Sequence, residues 1–188
     1  MSDAQDDFRE RLLVALQRSD EIHREKRADR MIAVSAHVKS YGVVMGEADT
    51  LAIKEEAYYS YVNGHYIATI LLAVSLIEHT LSDAIVESGE GRPFNLGGAI
   101  KTARSKNLFP DDLLNAADRL RQIRNPFTHR REPDDPDIFA NRFWARKIHP
   151  TALLEEDAKA ALVAMYQFFD LSIKYVDFDS RPSDKPTA

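Results

Sequence analysis

The chain has 188 residues and a formal net charge of -5, with 44% hydrophobic and 29% charged residues. This hydrophobic fraction can build a core, so we expect a folded domain of ordinary size, and the acidic balance excludes a surface that is basic all over to coat nucleic acid. The absence of cysteine excludes disulfides, cysteine-based zinc sites and thiol nucleophiles.

Residues 1–45 are predicted to form a helical extension. One helix face between about residues 6 and 19 carries the apolar side chains Phe8, Leu12, Leu13 and Leu16. Residues 21–30 are dense in charge, as is typical of a solvated helix face. A second apolar set follows at Met31, Val34, Val38 and Tyr41. The pattern is compatible with one long helix or with two, and Gly42 and Gly46 then predict a short break.

Residues 46–178 are predicted to form an all-α bundle. Helical spacing of apolar residues marks five helices, at about 50–62, 65–87, 96–105, 111–125 and 151–176. The second of these is apolar around much of its circumference, so we expect it to be buried on more than one side. The pair Asn63-Gly64 is interpreted as the joint before it. Residues 179–188 are polar and rich in proline, and we expect a disordered tail there.

The chain is predicted to have no membrane association. Its longest apolar run, residues 66–77, is shorter than the roughly 20 residues that a membrane-spanning helix needs. The first residues, MSDAQDDFRERLL, are acidic and polar, unlike a secretory signal. By exclusion we expect a cytoplasmic protein.

Residues 119–131, RLRQIRNPFTHRR, form a basic patch in this acidic chain. A proline disfavours helical dihedrals at the residue before it and lacks a backbone donor, so Asn125 is predicted to end or bend the helix. On an unbroken helix, Arg124 and His129 would lie about 140° apart around the axis. A bend at Asn125 can bring them onto a common side.

Arg124 and His129 suit chemistry at a phosphodiester. An imidazole, with an ordinary pKa of about 6.5, can activate a ribose 2′-hydroxyl or protonate a leaving oxygen at neutral pH. A guanidinium offers a planar donor fork that fits phosphate and stabilises the charge that develops on it. This scheme needs neither a metal nor another cofactor. The arginines expected to guide an RNA backbone are Arg119, Arg121, Arg130 and Arg131.

The segment Arg124-Asn125-Pro126-Phe127-Thr128-His129 resembles the motif of HEPN domains. That motif is an arginine, a polar residue directly after it, and a histidine after four to six intervening residues. The upstream stretch YYSYVNGHYIATILLAVSLIEHTLSDAI looks like the helix pair that opens the HEPN core, with Glu78 inside the second helix. The resemblance covers roughly residues 50–178 and implies a HEPN-like all-α bundle.

The resemblance implies a metal-independent endoribonuclease of the toxin or antiphage-defence type. In such proteins two protomers dimerise, and their motifs face each other across one RNA-cleaving cleft. It implies that Arg124 binds the phosphate, that His129 is the acid or base, and that Asn125 and Thr128 support them. It also implies three partners: RNA, a second copy of the chain, and an antitoxin or defence-system protein. One subgroup has a tyrosine two residues after the histidine as the target of a nucleotidyltransferase antitoxin, but this chain has Arg131 there.

Each candidate also has a structural interpretation. Arg124 can cap carbonyl groups at a helix C-terminus, and His129 can be an exposed loop residue. Glu78 can form an interhelical ion pair with Arg121 or Arg124, or it can orient the catalytic arginine. The whole domain can instead be a non-catalytic module that binds RNA, a nucleotide or a protein, or a purely structural interaction protein.

Residues 139–147 form a second candidate RNA surface. Three aromatic residues alternate with three cations there: Phe139, Phe143 and Trp144 with Arg142, Arg146 and Lys147. Rings among cations can stack bases, although core packing is the commoner role of Phe and Trp at helical spacing. We expect the rings to lie in the core and some of the cations near the cleft. No metal site is predicted, because His65, His79 and the acidic clusters lack ligand spacing.

Overall fold

The computed structural model describes residues 3–39 and 48–173. Over these two ranges the protein is all-α, as predicted, and no strand occurs in them. Its helices are α1 (Asp3–Val34), α2 (Ala48–Val62), α3 (Tyr66–Glu87), α4 (Leu96–Ser105), α5 (Asp111–Thr128), α6 (Phe139–Arg146) and α7 (Pro150–Ser172), with a 3-10 turn at Ser35–His37. The predicted break at Gly42 and Gly46, Tyr41 and the predicted tail lie outside the described residues.

The central helix of the bundle is α3, which packs against α2, α4, α5 and α7. Its buried residues are Tyr66, Thr69, Ile70, Ala73, Val74, Leu76, Ile77, Thr80, Leu81 and Ile85. They span about half of the helix circumference, which confirms that α3 is buried on more than one side. Ile67 is an exception, because it lies in the first turn and is exposed. By length and composition α3 resembles a membrane span, but half of its apolar window is buried inside the bundle, as in a core helix.

The joint between α2 and α3 lies at Gly64, as predicted. Its φ of +80° is in the left-handed region that favours glycine. Arg30 of α1 fills the space beside it, donating from Nη1 to the carbonyl oxygen of Val62 at 2.8 Å and from Nε to the hydroxyl of Tyr66 at 3.0 Å. A Cβ at position 64 would lie 3.3 Å from Nη2 of Arg30. Glycine at the joint therefore also makes room for the end of α1.

Helix α1 is one continuous helix, and only its C-terminal part contacts the bundle. Arg30 forms an ion pair with Glu155 of α7 at 3.5 Å, and Val34 is fully buried. Every residue from 5 to 26 is exposed, including the predicted apolar face. We call residues 5–26 the arm. At 1.5 Å per residue it is about 33 Å long.

Two buried phenols make the fold sensitive to alkali. Burial raises the pKa of Tyr61 and of Tyr166 to about 12. Below about pH 10 both phenols are neutral in the folded and unfolded chains, so their contribution to stability is fully present. Between about pH 10 and 12 only the unfolded chain ionises, and the free energy of unfolding should fall by about 1.4 kcal/mol per phenol for each pH unit.

Urea unfolding followed by circular dichroism between about pH 8 and 11.5 checks this expectation. The variant Tyr166→Phe should make the decline above the ordinary phenol pKa of about 10 shallower, while Tyr61 and Tyr66, whose pKa burial also raises, still contribute. A decline of the same steepness after Tyr61 and Tyr166 are both replaced by phenylalanine would contradict it.

Candidate functional site at the C-terminal end of α5

Helix α5 carries the candidate site and is longer than predicted. It buries five apolar residues, all of them expected: Leu113, Leu114, Ala117, Leu120 and Ile123. It then continues through Asn125 and Pro126 to Thr128, so of the two outcomes predicted for Asn125, an end or a bend of the helix, the end was wrong. The last turn is held by other bonds, because the Asn125 carbonyl accepts from the His129 N–H at 2.8 Å and from Oγ1 of Thr128 at 3.2 Å.

The side chain of Asn125 ties the end of α5 to the loop after it. In the orientation that satisfies both ends of the amide, Nδ2 donates to the Arg121 carbonyl at 3.1 Å and Oδ1 accepts from Nη2 of Arg131 at 3.0 Å. Arg131 also pairs with Asp135 at 3.7 Å. Asn125 and Arg131 therefore support the shape of this helix end.

Arg124 occupies a core position of α5. It follows Ala117 and Leu120 by seven and four residues, so it continues their buried face. Its Nε is buried and has no hydrogen-bond partner, and within residues 3–39 and 48–173 no other buried side-chain nitrogen or oxygen lacks one. A buried donor without a partner costs about 1–3 kcal/mol, and more when it is charged. The residue as a whole stays partly exposed, so an anion can approach the guanidinium, but it can bond Nε itself only after a local movement of the side chains that cover this atom.

His129 is the C-cap of α5 and its side chain is exposed. Its backbone is extended, with φ of -136° and ψ of 138°, so the chain leaves the helix at the histidine itself. The turn that was expected at Asn125 is thus displaced by four residues, to the end of the motif. Among the described residues no hydrogen bond joins the imidazole to the guanidinium of Arg124.

Glu78 and Arg121 do not form the interhelical ion pair that was considered for them. Nε of Arg121 donates to Oδ1 of Asp118 at 2.8 Å, one turn earlier on the same helix. Glu78 is partly buried on α3 and forms no ion pair with Arg121 or Arg124. Asp118 on the same helix is already within hydrogen-bond distance of Arg121, so Arg121 pairs with Asp118 and not with Glu78.

The charges of the basic patch are only partly neutralised. Arg121 and Arg131 are paired with carboxylates, as described above. Arg119 and Arg130 are exposed and, like Arg124, form no ion pair with the part of the chain that the structure describes. The guanidinium groups of Arg124 and Arg130 near the end of α5, and that of Arg119 at its middle, therefore form no ion pair that would compete with an anion.

A row of aromatic rings joins α6 to the end of α5. The ring centroids of Phe127 and Phe139 are 6.1 Å apart, and those of Phe139 and Phe143 and of Phe143 and Trp144 are each 5.3 Å apart. None of the three α6 rings is buried: Phe139 and Phe143 are half-buried and Trp144 is 74% exposed, so the expectation that these rings lie in the core was wrong. The short helix α6 presents only one side to the bundle, and Trp144 lies at the open end of the row.

Arg142, in contrast to Trp144, is largely buried. It forms a two-fold bond with Asp157 of α7, from Nη1 to Oδ2 at 2.8 Å and from Nη2 to Oδ1 at 2.7 Å. Both side chains are largely buried, so Arg142 is not among the cations of this segment that lie open. Arg146 pairs with Glu156 at 2.7 Å, which leaves the exposed Lys147 as the cation beside Trp144. Asp157 lies on the apolar stripe of α7. A carboxylate at such a position in the sequence indicates that a charged partner is buried beside it.

Within the described residues, no group of three or more histidine, aspartate or glutamate side chains is placed to hold a metal ion. The chain matches no protein-family model, no curated protein and no solved structure in comparisons with each.

Proposed function

We propose that the protein is a metal-independent endoribonuclease that cleaves RNA by 2′-hydroxyl transesterification at the end of α5. The observation that supports this most is the buried Nε of Arg124, which has no partner and belongs to a segment that resembles the HEPN motif. A phosphate oxygen is an acceptor of the kind that this donor lacks.

Arg124 would bind the scissile phosphate. Its donor fork can bond two phosphate oxygens, and its position at the edge of the core lowers the dielectric constant around the contact. The non-bridging oxygens of the phosphate gain negative charge as the 2′-oxygen attacks phosphorus, so a fixed cation stabilises the transition state more than the ground state. Arg119 and Arg130 would attract the backbone, and the exposed ring of Trp144 can stack a base.

His129 would move the proton. As a base it takes the proton of the 2′-hydroxyl, the 2′-oxygen bonds to phosphorus, and the bond from phosphorus to the 5′-oxygen breaks. The products are a 2′,3′-cyclic phosphate and a 5′-hydroxyl, which needs a proton from an acid. Two copies of the chain with facing motifs would supply one histidine as base and one as acid.

The proposed setting follows from the resemblance and the substrate. We propose a toxin or antiphage-defence role in the cytoplasm, where RNA is present, with control by an antitoxin or another defence-system protein. Arg131 bonds Asn125 and Asp135 at the position of the modified tyrosine in one HEPN subgroup, so control through that tyrosine does not apply.

The alternative is a non-catalytic module that binds RNA, a nucleotide or a protein. One observation favours it: the imidazole of His129 is exposed, and the described residues give it no partner that would orient it. Arg124 would then be a ligand contact, and His129 would be incidental.

An RNA-cleavage assay with EDTA present separates the two. We expect the wild type to produce 2′,3′-cyclic phosphate ends and His129→Ala to be slower by about 10²–10⁴-fold, the usual contribution of acid-base catalysis. The matched control is His79→Ala, which removes another exposed histidine, on α3. Intact RNA that the folded wild type still binds would instead support the binding module.

A further inference from the structure

The arm of α1 carries an apolar stripe that nothing in the described residues covers. Leu12 and Ile22 are 47% and 64% exposed, and Phe8 is 55% exposed. At 100° per residue these three side chains and the smaller Ala15 and Ser19 fall within a sector of about 80°. Their spacing of three and four residues is that of a coiled-coil seam.

The stripe continues the face by which α1 binds its own bundle. Arg30 lies at the same angle as Leu12, since eighteen residues complete five turns of an α-helix. The same face of α1 therefore packs against α2, α3 and α7 near Arg30 and is open to solvent from Ile22 toward the N-terminus. A helix in water has little stability from propensity alone, and apolar packing supplies most of it. A partner on this stripe would therefore stabilise the arm.

The N-terminal end of the arm is acidic and its C-terminal end is basic, so two arms that run in opposite directions have complementary charges. Residues 6–10 contain three carboxylates and one arginine, and residues 24–27 contain three cations and one carboxylate. Two parallel arms would place like segments side by side. Two antiparallel arms would place the acidic end of each beside the basic end of the other, which is favourable at both ends.

We propose that the arms of two copies of this chain pair as a short antiparallel coiled coil. In the favourable register Leu12 lies opposite Ile22 of the second copy, and Ala15 lies opposite Ser19. Phe8 then covers the aliphatic stem of Lys26, a polar residue that sets the register. Arg11 and Glu25 flank the seam on one side and face each other between the copies. The pairing goes beyond the proposed RNA cleavage and does not depend on it.

Sedimentation of the full chain between about 1 and 100 μM tests the proposal. We expect a dimer that Leu12→Glu dissociates at least about 100-fold more readily, because each substitution places a charge in the seam twice. Val14→Glu is the matched control: Val14 is 65% exposed on the other side of α1, and its substitution should leave the dimer unchanged. Both residues are exposed in the single chain, so neither change should affect folding of the bundle.

A charge-reversal cycle tests the direction of pairing. Arg11→Glu and Glu25→Arg should each weaken the dimer by about 3–10-fold, and the double variant should restore it, because the two positions then carry opposite charges again. A monomeric wild type at the highest concentration, equal weakening by Leu12→Glu and Val14→Glu, or no restoration in the double variant would overturn the proposal.

Discussion

The variant Arg124→Leu is expected to lower the rate of RNA cleavage by about 10²–10³-fold without destabilising the fold. The free energy of unfolding should stay the same or rise by about 1 kcal/mol, because leucine removes the buried Nε that has no partner and is apolar at a position that continues the buried face of Ala117 and Leu120. Activity and stability thus move in opposite directions, as expected where function maintains an unfavourable group.

Arg124→Lys separates the donor fork from the charge. Lysine keeps the cation but lacks Nε and the planar fork, so we expect it to recover less than about a tenth of the lost rate. Arg121→Leu is the matched control one turn earlier, since Arg121 is already satisfied by Asp118. Its effect on cleavage should be small. Rates come from single-turnover cleavage, and stability comes from urea unfolding of the same preparations.

A structural role for Arg124 makes the opposite prediction. If the arginine held the bundle together through Glu78, Arg124→Leu would cost about 3 kcal/mol or more, as for a broken buried ion pair. The structure has no such pair between these residues. A large loss of stability with unchanged RNA cleavage would contradict the assignment of Arg124 to the site.

The variant Asp157→Asn is expected to destabilise the protein by about 3–5 kcal/mol. It leaves Arg142, whose side chain is only 14% exposed, without an opposite charge. It also weakens one of the two hydrogen bonds between Arg142 and residue 157. This bond fixes α6 on α7, and the aromatic row then fixes α6 on the end of α5. RNA cleavage should therefore fall together with stability, in contrast to Arg124→Leu.

The neighbouring pair on the same two helices is the matched control. Arg146 and Glu156 are about half exposed, so Glu156→Gln should cost less than about 1 kcal/mol. Replacing both members of the buried pair, in Arg142→Met with Asp157→Leu, should recover most of the loss, because no buried charge remains unpaired. Thermal and urea unfolding measure all three variants. Equal effects of Asp157→Asn and Glu156→Gln would show that burial does not strengthen this bond.

The candidate site was predictable in part. The residues of the motif were found from their chemistry and spacing, whereas the unpaired Nε of Arg124 became visible only from the structure. A sequence signal for it existed, since Arg124 continues the spacing of Ala117 and Leu120 into a core position. The predicted helix end at Asn125 was wrong because packing of Phe127 against the core and the bonds to the Asn125 carbonyl outweigh the cost of Pro126.

The sequence by itself determined the all-α class and the place of most helices, although α6 was not predicted as a helix. The bounds of α4 and the joint at Gly64 were predicted correctly, because apolar periodicity and helix breakers act within a few residues. Only the tertiary structure decided where the charged and aromatic side chains lie. Trp144 is exposed although its ring was expected in the core, and Arg142 is the cation of its group that lies largely buried, against Asp157. A long side chain pairs with groups from distant parts of the sequence that the fold brings within reach. The spacing of residues along one helix does not show which groups these are.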